Sequence, residues 1–372
     1  LNLLGGGRIM ADVKNVMGVS ADDIKSIMGV AVDDIKTVVG LDWPASGLAW
    51  GGTRAVIFGG WHKLESTGQV TSDYILYKTL ASDASTSAFG QMNTKRGQAK
   101  GSGSNITRAL QAAGDVLVSP GTNTLGVEEI DYVTVGSTAD ATDFGNADTA
   151  AGHGGTDGAS NGTLCFMNGG RAGSRNNDME YITIASTGNG TDAGNLEAAQ
   201  DQHATSNGNS KYLIMGGYVG SGYPLNTVSQ HSFHTSNDAT DYGQVGAHSF
   251  MGTGVVCSTT RVVAAAGYNG TDHWNRGDEI HYFTLDSGSN STDDGYVLHA
   301  AMSEVSGTSD GTRGEFYGGH TGSVVQNEIQ KVTIASLGNA ADVGDLTNTD
   351  SASGTSYTDA GGVASASCQT GT

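Results

Sequence analysis

The sequence predicts an all-β propeller behind a short repetitive N-terminal segment, and three observations carry this. Glycine supplies 58 of 372 residues against 3 prolines, and that much glycine without a collagen period means many tight turns. An apolar run entered by Thr-Arg and closed by a glycine pair recurs roughly every 50 residues. An alternating strand and a turn of the form Thr-Asp-x-Gly follow most of these runs.

The apolar run appears first as Thr53-Arg54-Ala55-Val56-Ile57-Phe58-Gly59-Gly60. Its later copies end at Gly114, Gly170, Gly217, Gly267 and Gly319, with a degenerate copy over 362–367. Alternation of β-branched and aromatic residues marks the next strand, as in Ile130-Asp131-Tyr132-Val133-Thr134-Val135 and Met179-Glu180-Tyr181-Ile182-Thr183-Ile184. The turns are Thr142-Asp143-Phe144-Gly145 and its copies ending at Gly194, Gly243, Gly295 and Gly344. An Asp in such a turn hydrogen-bonds the backbone two residues on, so these acids are expected to shape the chain, not to catalyse. Small residues before the Thr-Arg runs, such as Gly252-Thr253-Gly254, suit an innermost strand at a crowded axis. Four strands per repeat is the unit of a propeller blade. Seven blades are favoured, closed by joining the C-terminal copy to segments near 35–45, with six as the alternative.

The N-terminal segment has its own repeat. Lys14, Lys25 and Lys36 recur every 11 residues, as do Gly18, Gly29 and Gly40. Asp22-Asp23 and Asp33-Asp34 read as N-caps and the glycines as C-caps, which predicts short helical turns over 10–40. Ile35 to Val39 also fits the strand pattern, in conflict with that reading. Residues 41–372 are expected to form the propeller. Residues 1–9 lack pattern and read as a non-native or upstream leader, with translation starting at Met10.

The net charge of −20 repels phosphate backbones and anionic lipid, which argues against a nucleic-acid partner. No apolar run of ~18 residues is present, so no membrane insertion is expected. Cys165, Cys257 and Cys368 lack metal-ligand spacing and each falls in a predicted strand, where free cysteine is a small apolar residue. Sequons at Asn105, Asn161, Asn189, Asn269 and Asn290 are explained by turn chemistry.

The apolar strand ending in Gly-Gly, followed by a Tyr-bearing strand, resembles the kelch motif over residues 46–372. Two doublets are Ala113-Gly114 and Ala266-Gly267, and the blade tryptophan of typical kelch repeats is absent. The wording of 130–135 and 141–145 is similar to kelch-like repeat proteins of tailed bacteriophages. Those proteins also carry N-terminal units similar to residues 21–29. The resemblance implies a virion structural or tail-fibre protein that touches the host surface. The N-terminal units are too short to be stable alone, so that segment is expected either to bind other virion proteins and support a homo-oligomer or to pack as an arm on the same chain.

Blades share one scaffold, so function is expected where they differ. The connection after the glycine pair varies most. It carries Trp61, His62, Arg171, Tyr218, Tyr223, Tyr268, Asn269, His273, Trp274 and His320. Rings and hydrogen-bonding groups on one face suit a glycan, such as host-surface polysaccharide; the competing reading is rings that shield blade ends. No HExxH, GxSxG or Walker loop is present, and no cofactor is implied. His231 and His234 point to opposite faces of a predicted strand, which argues against a metal site. Glu65, Asp115, Glu128, Glu129, Asp272 and Asp278 lie in variable loops, but nothing selects a catalytic pair, so no enzyme is expected. The leading expectation is a virion adhesin. The alternatives are a secreted or surface glycan-binding propeller of a bacterium, and a propeller glycosidase or lyase.

Overall fold

The computed structural model describes residues 15–16, 19–20, 26–27, 30–31, 37–38, 41–42, 53–64, 68–97, 99–119, 122–124, 126–147, 156–208, 210–222, 224–245, 250–268, 275–285, 287–322, 324–347, 357–358 and 361–364. The chain divides into two compact units, Leu1–Trp50 with Thr370–Thr372, and Gly51–Gln369.

The described residues of the first unit overturn the helical reading. Asn15–Val16 pairs antiparallel with Val19–Ser20, Ser26–Ile27 with Val30–Ala31, and Thr37–Val38 with Leu41–Asp42. The described residues of each 11-residue unit are thus two short antiparallel strands and not helical turns. Valine and isoleucine flank each glycine, and β-branched residues prefer the pleated backbone to a single isolated helical turn.

The second unit is a six-bladed propeller. Blade II runs from Ala99–Ser104 through Arg108–Ala112 and Glu129–Thr134 to Thr142–Asn146. Blade III uses Thr156–Ser160, Leu164–Ala172, Ser174–Thr183 and Thr191–Asn195. Blade IV uses Ala204–Thr205, Lys211–Met215, Thr227–Ser232 and Thr240–Gln244. Blade V uses Gly254–Cys257, Arg261–Ala265, Gly277–Thr284 and Thr292–Met302. Blade VI uses Ser306–Ser309, Arg313–Tyr317, Glu328–Thr333 and Ala341–Asp345.

Blade I explains why the count is six and not seven. Its second, third and outermost strands are Arg54–Phe58, Gly68–Thr79 and Ser87–Arg96. Its innermost strand is Gly361–Ala364, paired antiparallel with Phe58 to Ala55. The C-terminal copy that reads as the start of a seventh blade is thus the missing first strand of the first one. The innermost strands stand side by side around the axis, where a side chain at Gly158 would lie 2.4 Å from the backbone nitrogen of Ser102. That crowding is why these segments are rich in small residues.

Both faces of the second strands are buried, which makes them largely apolar, with Gln111 and Glu315 as buried polar residues in blades II and VI. Ala55 and Ile57 pack with Tyr317, Ile329 and Val343 of blade VI. Val56 and Phe58 pack with Ala109, Val133 and Val135 of blade II. Similar apolar layers separate blades II and III, III and IV, and V and VI. Cys165 is free and buried in one of these layers. Cys257 corrects the free-thiol expectation, because it is disulfide-bonded.

The Thr-Asp-x-Gly motif is not a turn but a bulge in the outermost strand. Opposite Ile130 and Asp131 stand Gly145 and Asp143, which leaves Phe144 as the extra residue. Asp143, Asp192, Asp293 and Asp342 accept the N–H of the glycine two residues on, at 3.0, 2.9, 2.7 and 2.9 Å. In blades II, III, IV and VI the extra side chain turns inward, and Phe144, Ala193, Tyr242 and Val343 are buried, whereas Asp294 of blade V is exposed.

The residue after this bulge clasps the next blade. The N–H groups of Gln91, Asn146, Asn195, Gln244, Val297 and Asp345 donate to side-chain oxygens of Asp140, Asn189, Asp238, Asn290, Asn339 and Ser85. The carbonyls of the same six residues accept the N–H of Ala141, Gly190, Ala239, Ser291, Ala340 and Thr86. This girdle of paired bonds closes on itself from blade VI to blade I. Two sequon asparagines, Asn189 and Asn290, are spent on it. Two others, Asn105 and Asn161, accept backbone N–H groups two and three residues on, at the turn into the Thr-Arg strand.

The arginine of the Thr-Arg mark is a second clasp. The Arg54, Arg108 and Arg261 guanidiniums lie over Tyr77, Tyr132 and Tyr282 of their own blades. Each donates to a carbonyl of the next blade, at Val135, Ile184 and Ile334.

The glycine pairs sit at the opposite end of the second strand, defined as the upper face. Gly216 has φ +65°, and a Cβ there would lie 2.0 Å from the carbonyl oxygen of Phe250. Gly216→Ala is therefore expected to lose about 2–4 kcal/mol from strain and overpacking together. Denaturant unfolding checks this; a loss under about 0.5 kcal/mol, within the range of ordinary surface changes, would show that the strand end relaxes freely.

Candidate upper-face binding site

The residue after each glycine pair holds the same place in every blade of the upper face: Trp61, Asp115, Arg171, Tyr218, Tyr268 and His320. Isolated bridges tie three of them to the linker that enters their own blade, at Gly97 with Asp115, Asp201 with Tyr218, and Ser303 with His320. The scaffold repeats, and this position changes.

Two arginines that the sequence reading did not single out organise the face. Arg175 and Arg276 each stand four residues before a fully buried third-strand residue, Met179 and Ile280. Arg175 Nε donates to Asp201 Oδ1 at 2.8 Å, and its guanidinium lies 4.4 Å from the Tyr218 ring centre. Arg276 Nε donates to Ser303 Oγ at 2.9 Å, while Nη2 reaches Tyr268 Oη and His320 Nδ1 at 3.1 Å each. Any side chain at Gly220 or Gly322 would come within 2.7 or 2.9 Å of Nη1 of the respective arginine. These arginines therefore brace blade III to IV and blade V to VI. The signal available in the sequence was the common offset of both residues from the third strand.

The bracing accounts for several predicted ligand contacts. Tyr268 is 5% exposed and lies beneath Arg276. His320 Nδ1 accepts the Gly322 N–H at 3.0 Å as well as the arginine, so that nitrogen carries no proton. Trp61 and His62 lie in a short strand, Trp61–Leu64, paired with Gly68 to Thr71 and flanked by Tyr357–Thr358. Tyr223, Asn269, His273 and Trp274 lie outside the described residues, as do Glu65 and Asp272.

Arg171 differs from its equivalents. Its Nη2 is 3.9 Å from Asp115 Oδ2 and its Nε is 3.9 Å from Asp201 Oδ2. The Arg171 side chain is 30% exposed, whereas those of Asp115 and Asp201 are 1% and 2% exposed. Burial pushes the Asp201 carboxyl above the usual range, with Arg175 and Arg171 opposing that shift. Blade II has Gly126 where blades III and V carry the upper-face arginine, so its junction with blade III is clasped by Arg108 at the opposite end of the second strand and not by an arginine at this position. Two buried carboxylates, two guanidiniums and half-buried Tyr218 thus meet where blades II, III and IV adjoin. A hairpin, Val116–Ser119 with Thr122–Thr124, rises from blade II between its second and third strands.

His231 is buried against Phe166 and bonded to the Asn237 carbonyl, whereas His234 lies in the turn that follows the strand Thr227–Ser232 and is exposed. Among the described residues no group of three or more His, Cys, Asp or Glu side chains could hold a metal ion. No helix among them is long and apolar enough to cross a membrane. No protein-family model matches the chain, and no curated protein matches it.

Proposed function

We propose that this chain is a non-catalytic attachment protein of a tailed bacteriophage virion. Its kelch-like propeller binds host-surface glycan through the upper face, and its N-terminal hairpin repeat joins it to other virion proteins and to further copies of itself. The carrying observation is the ring of equivalent positions after the glycine pairs. A scaffold clasped identically six times around its rim varies at that ring, and binding specificity resides where a repeated scaffold varies. The hairpin repeat supports the second half of the proposal. Two-residue strands are too short to be stable unaided, and neighbouring chains or neighbouring hairpins supply the missing contacts.

Antibody labelling of virions with electron microscopy tests the placement, and label absent from the particle would reject it. Binding of the purified full chain to host cells tests the attachment role. Replacing Arg171 and Tyr218 together by alanine is expected to lower cell binding at least about tenfold, the equivalent of two or three lost polar contacts. Unchanged binding would move the site off the upper face.

A further inference from the structure

We infer that Cys257 is bonded to Cys368, and that this disulfide is a redox latch that locks the closed ring once the chain leaves a reducing compartment. The inference is independent of what the upper face binds. Cysteine arithmetic is the first argument. The chain has three cysteines, Cys165, Cys257 and Cys368. Cys257 is disulfide-bonded, whereas Cys165 keeps its thiol, buried in the apolar layer between blades II and III. Within one chain, Cys368 is what remains as the partner of Cys257.

Placement is the second argument. Cys257 ends the innermost strand of blade V, opposite Val262, at the end remote from the glycine pair. The closing strand runs the same way: Gly361 stands opposite Phe58 and Ala364 opposite Ala55, so the chain leaves it toward that same lower end. Blade VI lies between the two. Ser309 Oγ accepts the Cys257 N–H at 3.1 Å and donates to the Cys257 carbonyl at 2.9 Å, and the strand Ser306–Ser309 also neighbours Gly361–Ala364. Two strand spacings are about 10 Å, and the residues from Ala364 to Cys368 reach about 13 Å. The bond closes a loop of about 110 residues, and a crosslink across so long a loop strongly restricts the unfolded chain. It ties blade V to the strand that completes blade I, across the seam where the chain ends meet. The chemistry is exchange with a small-molecule disulfide. One cysteine thiolate attacks it, forms a mixed disulfide and expels one thiolate; the second cysteine then attacks the protein sulfur of that intermediate and expels the other. Two protein thiols lose two electrons and two protons, and the oxidant leaves as two thiols. A reducing cytosol keeps the pair open, and an oxidising exterior preserves the bond.

The test uses the full chain, purified in air and then denatured with its bonds intact. Thiol titration should find one thiol before reduction and three after it. Mass spectrometry of a non-reduced digest should find a peptide pair joining Cys257 to Cys368. Three thiols before reduction, or any other pairing within or between chains, would overturn the assignment. Thermal unfolding with and without reductant tests the latch. Reduction is expected to shift the unfolding equilibrium by about a thousandfold, seen as a melting temperature at least about 5 °C lower. Cys257→Ser and Cys368→Ser should each melt like the reduced parent and lose the response to reductant. Cys165→Ser should keep that response, whatever its own effect on packing. A parent that melts alike in both conditions, or a response that survives in both of the first two variants, would overturn the latch.

Discussion

Deletion of residues 361–372 is expected to abolish cooperative folding of the propeller or to cost on the order of 4–6 kcal/mol. Four ladder positions join Gly361–Ala364 to Arg54–Phe58, and each backbone bond contributes roughly 0.5–1.5 kcal/mol. The greater effect is on the ring. Gly361–Ala364 also stands beside the innermost strands of blades II and VI, so its loss leaves a gap at the axis and frees blade I to swing. A domain of ordinary stability has only about 5–15 kcal/mol in total. The deletion also removes Cys368, so the comparison is made with and without reductant. Calorimetry on the truncated chain should show a lowered, broadened transition in both conditions. A peptide of residues 355–372 added in trans should restore part of it by pairing with the open edge of Arg54–Phe58. A truncated chain that melts like the parent under reducing conditions would show that the ring does not depend on its last strand.

The same strand marks the limit of what the sequence discloses. Most of the blade was legible, because each blade repeats its physics locally. The two-sided burial of the second strand reads as a largely apolar run. The Asp-to-Gly bond of the bulge is written within three residues, although it shapes an outer strand where a turn was expected. Ring closure is written nowhere locally. Gly361 to Ala364 and Arg54 to Phe58 lie at opposite ends of the chain, so a copy counted along the sequence becomes a seventh blade when it is the first strand of blade I. The N-terminal repeat failed for another reason. Its period of 11 fits three helical turns, and aspartates before it with glycine after it also mimic helix caps. The choice between helix and hairpin then falls to Val16, Val19, Ile27, Val30 and Val38 beside their glycines, and β-branching decides it. At the upper face the variable positions were visible, but their roles were not. Tyr268 and His320 read as presented rings until Arg276, remote from either in pattern, is seen to hold both.

Asp131→Ala is expected to lose about 3–5 kcal/mol, the usual result of stripping one partner from a buried ion pair. Asp131 sits in the third strand of blade II and bonds Arg96 and Asn93 from the outermost strand of blade I. Both side chains of the Arg96–Asp131 pair are 0% exposed, and Arg96 Nη1 also donates to the Glu129 carbonyl at 2.7 Å. Burial lowers the Arg96 pKa and raises that of Asp131, which is to say that each charge is tolerated only because the other is present. Removing the carboxylate strands a guanidinium that cannot shed its proton near neutral pH. The double variant Arg96→Met with Asp131→Leu removes both charges and keeps volume, so it should recover most of the loss or exceed the parent. Blade I is held in the same way on its other flank, where Lys78 bonds Glu315 of blade VI at 3.1 Å with side chains 1% and 0% exposed. Among the described residues, both fully buried ion pairs thus flank the blade completed by the C-terminal strand. Apolar layers are tolerant of sliding, whereas a buried pair is satisfied in one register only. The pairs therefore fix how the last strand must meet the first blade. Urea unfolding of the single and double variants separates these terms: a single variant within about 1 kcal/mol of the parent would mean that water reaches Arg96, and a double variant as unstable as the single would mean that packing, not charge, carries the junction.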